Sequence, residues 1–262
     1  MADPRPDGDH DENGVRSVLR AIDLLGLFTE DRRAWTVREL TSASGLPKTT
    51  VIRLVATCEQ RGMLWSGKDG MITVGPGLLR WARLAHTAWD LPQPVLEAMA
   101  ALSTRCGETV NLYVRSTVHR VCVAQHEGPR TIRHVVPVGD ELPLWSGAAS
   151  KVLLTGAEDE FLRRVSATSP HGEDLVGQLS RQARQAGEDG YSVSHGEREV
   201  GASSVAAAVT DREGKVVAAL ALAGPTTRFT GERVRDFVDA TVNAARRVSS
   251  IGLAPASTSE PH

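Results

Sequence analysis

The chain has 262 residues, 41% of them apolar but only 4% aromatic, and a formal net charge of −2. That length suggests two modest domains or one large one, with cores built on Val, Leu, Ile and Ala. The three cysteines, Cys58, Cys106 and Cys122, form no CxxC pair, and their odd number argues against a disulfide framework.

Residues 1–14 are rich in Pro, Asp and Gly and are expected to be a disordered tail, with 254–262 as a second. Residues 1–13 hold one Arg against five acidic residues and lack the apolar stretch of a signal peptide. Residues 14–80 hold ten Arg and Lys against six Asp and Glu. A basic segment behind an acidic one is compatible with a polyanionic partner. There is no run of about 18 apolar residues, so no membrane span is expected and the chain reads as cytoplasmic.

Val15, Val18, Leu19, Ile22, Leu25 and Phe28 recur at helical spacing and predict a first helix with one apolar face. Thr36-Val37-Arg38-Glu39 has the pattern of a capping box, in which the Thr hydroxyl and the Glu carboxylate each take a backbone amide. A short second helix with Val37, Leu40 and Ala43 inward follows, ended by Gly45. Pro47 opens a third helix, where its missing N–H costs nothing, and Val51, Leu54, Val55 and Cys58 are its buried stripe. Met63–Trp65 and Met71–Val74 read as strands joined by the polar tip 66–70. Three helices and a hairpin make a winged helix-turn-helix over 15–76.

Leu78, Trp81, Ala82, Ala85 and Trp89 mark a linker helix, and Pro92-Gln93-Pro94 closes a linker over 77–94. Beyond it, over 95–253, helices and strands alternate. A helix carries Val95, Leu96, Met99 and Leu102. Strands are expected at 110–114, 121–123 and 132–138, and helices at 147–154 and around Leu175, Leu179, Ala183 and Ala186. A hairpin pairs 205–209 with 216–222 around Asp211–Gly214. A last helix runs through Val234, Phe237, Val238, Val242, Ala245 and Val248. Strands flanked by helices predict an α/β sensory domain, and an α+β chain as a whole.

The chemistry concentrates in Thr36–Arg61. A helix-turn-helix packs its first helix on its second and offers the outer face of the second to the DNA major groove. That face is Thr49, Ile52, Arg53, Ala56 and Gln60, with Lys48 and Thr50 beside it. Arg53 suits a guanine edge or a phosphate. Lys48, Thr49 and Thr50 sit at a positive helix terminus that favours phosphates. Lys68 at the hairpin tip, Arg16 and Arg38 complete the DNA-binding set. The bland alternative is a helical hairpin with a solvated face. The ordered succession of helix, Gly turn, Pro-started helix and basic-tipped hairpin weighs against it.

Ser17-Val18-Leu19-Arg20-Ala21, Gly45-Leu46-Pro47-Lys48-Thr49-Thr50-Val51 with Arg53-Leu54, Glu108-Thr109-Val110-Asn111-Leu112, and Leu142-Pro143-Leu144 through Lys151 stand in one order. Gly190, Ser194, Glu197, Ser204-Val205-Ala206, Val209 and Asp211 follow. With these motifs the body 15–253 resembles the IclR family of bacterial regulators. The resemblance implies a GAF-like effector domain, homodimers or dimers of dimers, a palindromic double-stranded DNA operator, and a repressor by family habit. It implies an effector site at Leu142, Trp145, Gly147, Ala148, Ala149, Ser194, Ser204, Ala221 and Ala223. Ala221 and Ala223 stand where the family favours hydroxyl or thiol side chains, Trp145 where it favours His and Ala208 where it favours Pro. A buried anion with few donors around it is poorly stabilised. An apolar or aromatic small-molecule effector is therefore expected, unless the two alanines are plain core residues.

Other readings are weaker. Ser146, Ser204, the cysteines and eight His are available for catalysis, but no GxSxG, P-loop, HExxH or GxGxxG occurs. His119, His126 and His134 at strand spacings are not expected to converge on a metal, and no cofactor is expected. A ligand-independent regulator or activator is the main alternative, with a C-terminal domain serving oligomerisation or a protein partner. A domain of that length exceeds what oligomerisation alone needs.

Overall fold

The computed structural model describes residues 15–253; the two expected tails, 1–14 and 254–262, lie outside the described residues. By its internal contacts the chain forms two units that meet between Ala88 and Trp89.

The first unit holds helices α1 (Arg16–Leu25), α2 (Val37–Ser44), α3 (Lys48–Gln60) and α4 (Gly77–Ala88), with strands β1 (Ala34–Trp35), β2 (Leu64–Ser66) and β3 (Ile72–Val74). The three strands form a small antiparallel sheet in the order β1-β3-β2. The capping box forms as the sequence predicts: the Glu39 amide donates to Thr36 Oγ1, and the Thr36 amide donates to the Glu39 carboxylate at 2.8 Å. The Thr36 bonds hold the Glu39 carboxyl below its ordinary range. Gly45 ends α2 at φ 66°, a left-handed position that suits glycine. The core is Leu24, Trp35, Leu40, Val51, Val55, Cys58, Leu64 and Ile72.

Two expectations for this unit need correction. The predicted apolar face of α1 is mostly outside: Leu24 is buried, whereas Val15, Val18, Leu19 and Ile22 are exposed. A helix seated on its neighbours by one edge buries a narrower stripe than its apolar pattern offers. Ala43 on α2 is also exposed, because α2 buries Leu40 and seats only Val37 beside it on the core. Strand β1 was missed because two residues carry no periodicity.

The second unit is a three-layer sandwich. Strands β4 (Thr109–Ser116), β5 (His119–His126), β6 (Glu141–Pro143), β7 (Tyr191–His195), β8 (Ala202–Thr210) and β9 (Val216–Pro225) make an antiparallel sheet in the order β6-β5-β4-β9-β8-β7. Helices α5 (Gln93–Cys106) and α9 (Gly231–Ile251) pack on one face through Val110, Leu112, Val205, Leu220 and Leu222. Helices α6 (Ala148–Leu153), α7 (Asp159–Ala167) and α8 (Val176–Asp189) cover the other, over Tyr113, Cys122, Ala206, Ala219 and Ala221. Covering both faces buries six successive residues of β4. Bulky residues on the α5/α9 face and alanines on the α6 face leave room beneath α6.

The strand expected at 132–138 does not form. Pro137 can donate no ladder hydrogen bond, and the edge of the sheet beyond β5 is taken by β6, with Arg120 opposite Leu142. Val136 alone of the apolar residues in that segment plugs into the core, while Ile132, Val135 and Val138 are exposed. An ion pair between half-buried Arg228 and buried Glu108 ties the segment to the sheet. Arg228 donates through Nε and Nη2 to the two Glu108 oxygens at 2.5 and 2.6 Å, and through Nη2 to the Ile132 carbonyl at 2.9 Å. Glu108 is fully buried. Gly224 cannot carry a side chain, since its Cβ would lie 2.2 Å from a Glu108 oxygen.

Candidate functional site

Helix α3 positions the first candidate surface. Val51, Val55 and Cys58 anchor it inward, so its opposite face must point to solvent. Lys48, Thr49, Ile52, Arg53, Ala56 and Gln60 are all exposed on that face, with Thr50 half-buried at its start. Thr57 is exposed beside Arg53 and returns its hydroxyl to the Arg53 carbonyl at 2.8 Å. Lys68 is exposed at the tip of the β2–β3 hairpin, and Arg16 and Arg38 are exposed on α1 and α2. The sequence missed Arg32, which lies over the Trp35 ring with Cζ 3.5 Å from its centroid and pairs with Glu39 at 2.8 Å. Of the expected linker face, Trp81, Ala82, Ala85 and Trp89 are exposed and Leu78 is half-buried; Leu79 and Leu84 are exposed beside it, and α4 buries no residue.

The second candidate is a small cavity of the second unit, between the sheet and the start of α6, about 40 Å³ in volume and partly open to solvent. Seven of the nine residues expected there do line it: Gly147, Ala148, Ala149, Ser194, Ser204, Ala221 and Ala223. The register brings them together, pairing Ser194 with Ser204 and Ser204 with Ala223. The Ser194 and Ser204 hydroxyls meet at 2.9 Å. Leu142 and Trp145 lie outside the lining, half-buried against the core under α6–α8.

The polar lining is where the sequence reading fell short. Tyr113, Arg120, His134, Glu197, Arg198, Glu199 and Ser203 also face the cavity. The premise of a pocket with few hydrogen-bond donors is thus overturned. Arg120 was hidden because β5 turns its even-numbered residues inward, so Arg120, Cys122 and Ala124 are buried while Val121 and Val123 are half-buried. A bulge between Leu112 and Tyr113 helps to set that register. His134, considered from the sequence only as a metal ligand and set aside, is a cavity residue. Only a charged residue flanked by buried alternate positions could have signalled Arg120, and that signal needs the register.

Arg120 is 4% exposed. Its Nη1 donates to the Pro143 and Ser146 carbonyls, the latter at 2.8 Å, and to Ser150 Oγ, pinning the turn before α6. Its Cζ lies 5.4 Å from the Tyr113 ring centroid. Burial pulls the Arg120 guanidinium down to about 10, which leaves it charged at neutral pH. The same burial raises Tyr113, so its phenol stays protonated. Burial and the neighbouring Arg198 pull His134 below its ordinary 6.5, so the imidazole is neutral at pH 7. Glu197 accepts from the Gly147 amide at 3.1 Å and from Lys151 Nζ, which also donates to the Val193 carbonyl. Among the described residues no cluster of His, Cys, Asp or Glu could hold a metal ion.

A winged helix-turn-helix joined to a mixed α/β sensor with a polar cavity defines a class, that of two-domain transcriptional regulators. Residues 17–65 match the IclR helix-turn-helix domain, and residues 85–250 match the bacterial transcriptional regulator IclR C-terminal family. The chain belongs to the IclR family, whose members are DNA-binding regulators and not enzymes. An IclR-family protein from Rhodococcus sp. is 46% identical, with TM-score 0.63 over 97% of this chain and 98% of that one. The HTH-type transcriptional regulator KipR of Bacillus subtilis is 27% identical over 91% of this chain and 97% of its own. An IclR homolog from Microbacterium hydrocarbonoxydans, solved with 4-hydroxybenzoate, shares the fold at 24% identity, with TM-score 0.70 over 89% and 98% of the two chains.

Proposed function

We propose that this regulator represses transcription by binding a palindromic operator as a homodimer or a dimer of dimers, and that a small molecule in the α6 cavity modulates that binding. The observation that carries the reading is the exposed face of α3, where Lys48, Thr49, Arg53 and Gln60 stand together above a buried apolar stripe. Arg53 and Gln60 read base edges; Lys48, Thr49, Thr50, Lys68, Arg16 and Arg38 take phosphates. The repressor sense is supported by relatives named HTH-type transcriptional repressor AllR, for example that of Escherichia coli, 27% identical over 92% of both chains. The effector role is supported by the 4-hydroxybenzoate complex of the Microbacterium homolog.

The dimer is supported by apolar side chains left outside the first unit: Val18 and Ile22 on α1, and Leu79, Trp81 and Leu84 on α4. Large apolar side chains left exposed on two helices are candidates for a protein contact. A two-fold pair would set two α3 helices on half-sites about 34 Å apart. Ligand then shifts the operator equilibrium only through different affinities for two arrangements of the paired heads, passed through residues 77–90. The compartment is the cytoplasm, where DNA is; among the described residues no helix is long and apolar enough to cross a membrane.

The test is fluorescence anisotropy on the DNA upstream of the protein's own gene, over a salt series, with scrambled DNA as competitor. Sequence-specific, salt-sensitive binding that weakens by about 1–3 kcal/mol in Arg53→Ala is the expected result. Equal binding of wild type and variant to all DNA would remove α3 from the groove.

A further inference from the structure

We propose that the loop 196–201 is a lid on the α6 cavity, latched shut by Arg198 on His134, and that a molecule larger than a few waters enters only when the latch opens. This rests on the reading of the cavity as the effector site and adds how that site is closed.

The cavity is too small for an organic ligand as it stands. Its volume is about 40 Å³. One water needs roughly 10–15 Å³, and a cavity of about 150 Å³ admits benzene. A wall must therefore move. Most of the walls are fixed: Tyr113, Arg120, Ser194, Ser204 and Ala221 stand on five paired strands, and Ala148 and Ala149 are buried at the start of α6. Beyond Gly147 at the head of α6, the rest of the lining outside the strands is irregular backbone. His134 lies in the segment 127–140, and Glu197, Arg198 and Glu199 lie in the loop 196–201.

Topology makes those two segments a bridge. The pairs Val110–His126, Thr109–Ala223, Ser204–Ala223 and Ser194–Ser204 lie at one end of the sheet. At that end β5 runs out into 127–140, and the loop 196–201 turns from β7 into β8. In sheet order β5 and β7 are four strand spacings apart, about 19 Å. A contact between the two segments has to cross the face of the sheet that carries the cavity. Arg198 makes that contact. Its Nη2 donates to His134 Nε2 at 2.5 Å and to the Glu199 carboxylate at 3.2 Å, and the same carboxylate lies 3.7 Å from the imidazole.

The loop is also built to hinge. Gly196 and Gly201 bracket it at φ 65° and 88°, left-handed positions that glycine takes without strain. Glu197 fixes its base, through the Gly147 amide at 3.1 Å and through Lys151. The tip beyond has no apolar anchor, since Val200 is 96% exposed. The closed contact carries a cost of its own. With Arg198 on Nε2, the neutral ring holds its proton on Nδ1, which is buried with no partner among the described residues. An unmet buried donor offsets part of what the latch gains, so the closed state is shallow.

The test reads the cavity itself, in the full-length protein, with iodoacetamide as the probe. Ala223→Cys puts a thiol into the lining; Ser204→Cys, nearly isosteric, is a second site if the first fails to fold. The native Cys58, Cys106 and Cys122 are buried and report any general loosening. Arg198→Ala and His134→Ala should each speed alkylation of the introduced thiol about tenfold, the worth of one hydrogen bond from a charged donor. The double variant should add nothing further, as two partners of one contact must. Removing Arg198 also removes a cation that favours the thiolate, so an electrostatic effect alone would slow the reaction. Equal rates with and without Arg198 would overturn the latch. So would single effects that multiply in the double variant, or native cysteines that react as fast as the introduced one. None of these touches the effector reading, which is tested by operator anisotropy of the alkylated protein. Alkylation that depends on Arg198 but leaves operator affinity unchanged keeps the lid and removes the cavity from ligand control.

Discussion

In the first unit, eight buried residues make a small core and the charged residues of α3 stand outside it. In the second, Arg120, Lys151 and Glu108 are sealed within the fold, and a larger pair of cores surrounds them. The first arrangement suits a polyanion too large to enclose, which must be met on a surface by exposed, salt-sensitive groups. The second suits a small molecule, where low dielectric makes one missing or extra charge decisive. The difference teaches where each unit is vulnerable: the first through local helix-end chemistry and a thin core, the second through long-range ion pairs.

The largest test of that contrast is Arg228→Met. It strands the Glu108 carboxylate, fully buried, and should destabilise the second unit by about 3–5 kcal/mol. Amide hydrogen exchange should show protection falling in β4 and β9 and holding in α2 and α3; a uniform loss would break the comparison. Leu40→Ala is the reverse probe. Leu40 is fully buried, and its truncation should cost about 3 kcal/mol with exchange rising in α2 and α3 alone. Thr36→Ala removes the capping hydroxyl and should cost about 1 kcal/mol, read as a lower denaturation midpoint.

The smallest effect is a pH slope. His134 binds its proton less tightly in the fold than the ordinary 6.5 of an unfolded chain. Above that value both states are neutral there and the contribution is complete. As pH falls through 6.5 toward the lower folded value, the unfolded chain takes up the proton first and stability is lost. Melting temperatures from about pH 8 to about pH 5 should fall less steeply in His134→Asn than in wild type. Parallel slopes would remove His134 from the buried set.

The same contrast governs what the sequence disclosed. Thr36, Glu39, Gly45 and Pro47 each act within a turn of the helix end they mark, so the helix-turn-helix was legible from spacing alone. So were β8 and β9, whose apolar runs flank Asp211–Gly214. The outward apolar edge of α1 was not, because periodicity says which residues share a face and not which face finds a partner. Strand β7 was passed over because its alternation is short: Tyr191 and Val193 alone alternate with Ser192 and Ser194 and pack against the core. α7 was passed over although Phe161, Leu162 and Val165 give it an apolar face, Leu162 and Val165 being buried. In the cavity, seven small residues followed from the resemblance, but Arg120 and His134 did not. Arg120 sits inward by the register of a bulged strand, and His134 by a segment with no regular structure. Long-range pairing fixed both, and no local pattern encodes it.

The cysteines have a practical consequence. Cys58, Cys106 and Cys122 are all buried. Burial raises each thiol above its ordinary range, Cys122 to about 12. Thiol-reactive reagents attack the thiolate, which these sites hardly populate at neutral pH. The native chain is therefore a silent background for site-specific labelling. A dye placed through Lys68→Cys on the hairpin tip reports on that tip alone, and in a pair of chains two such dyes become a ruler for the spacing of the DNA-binding heads.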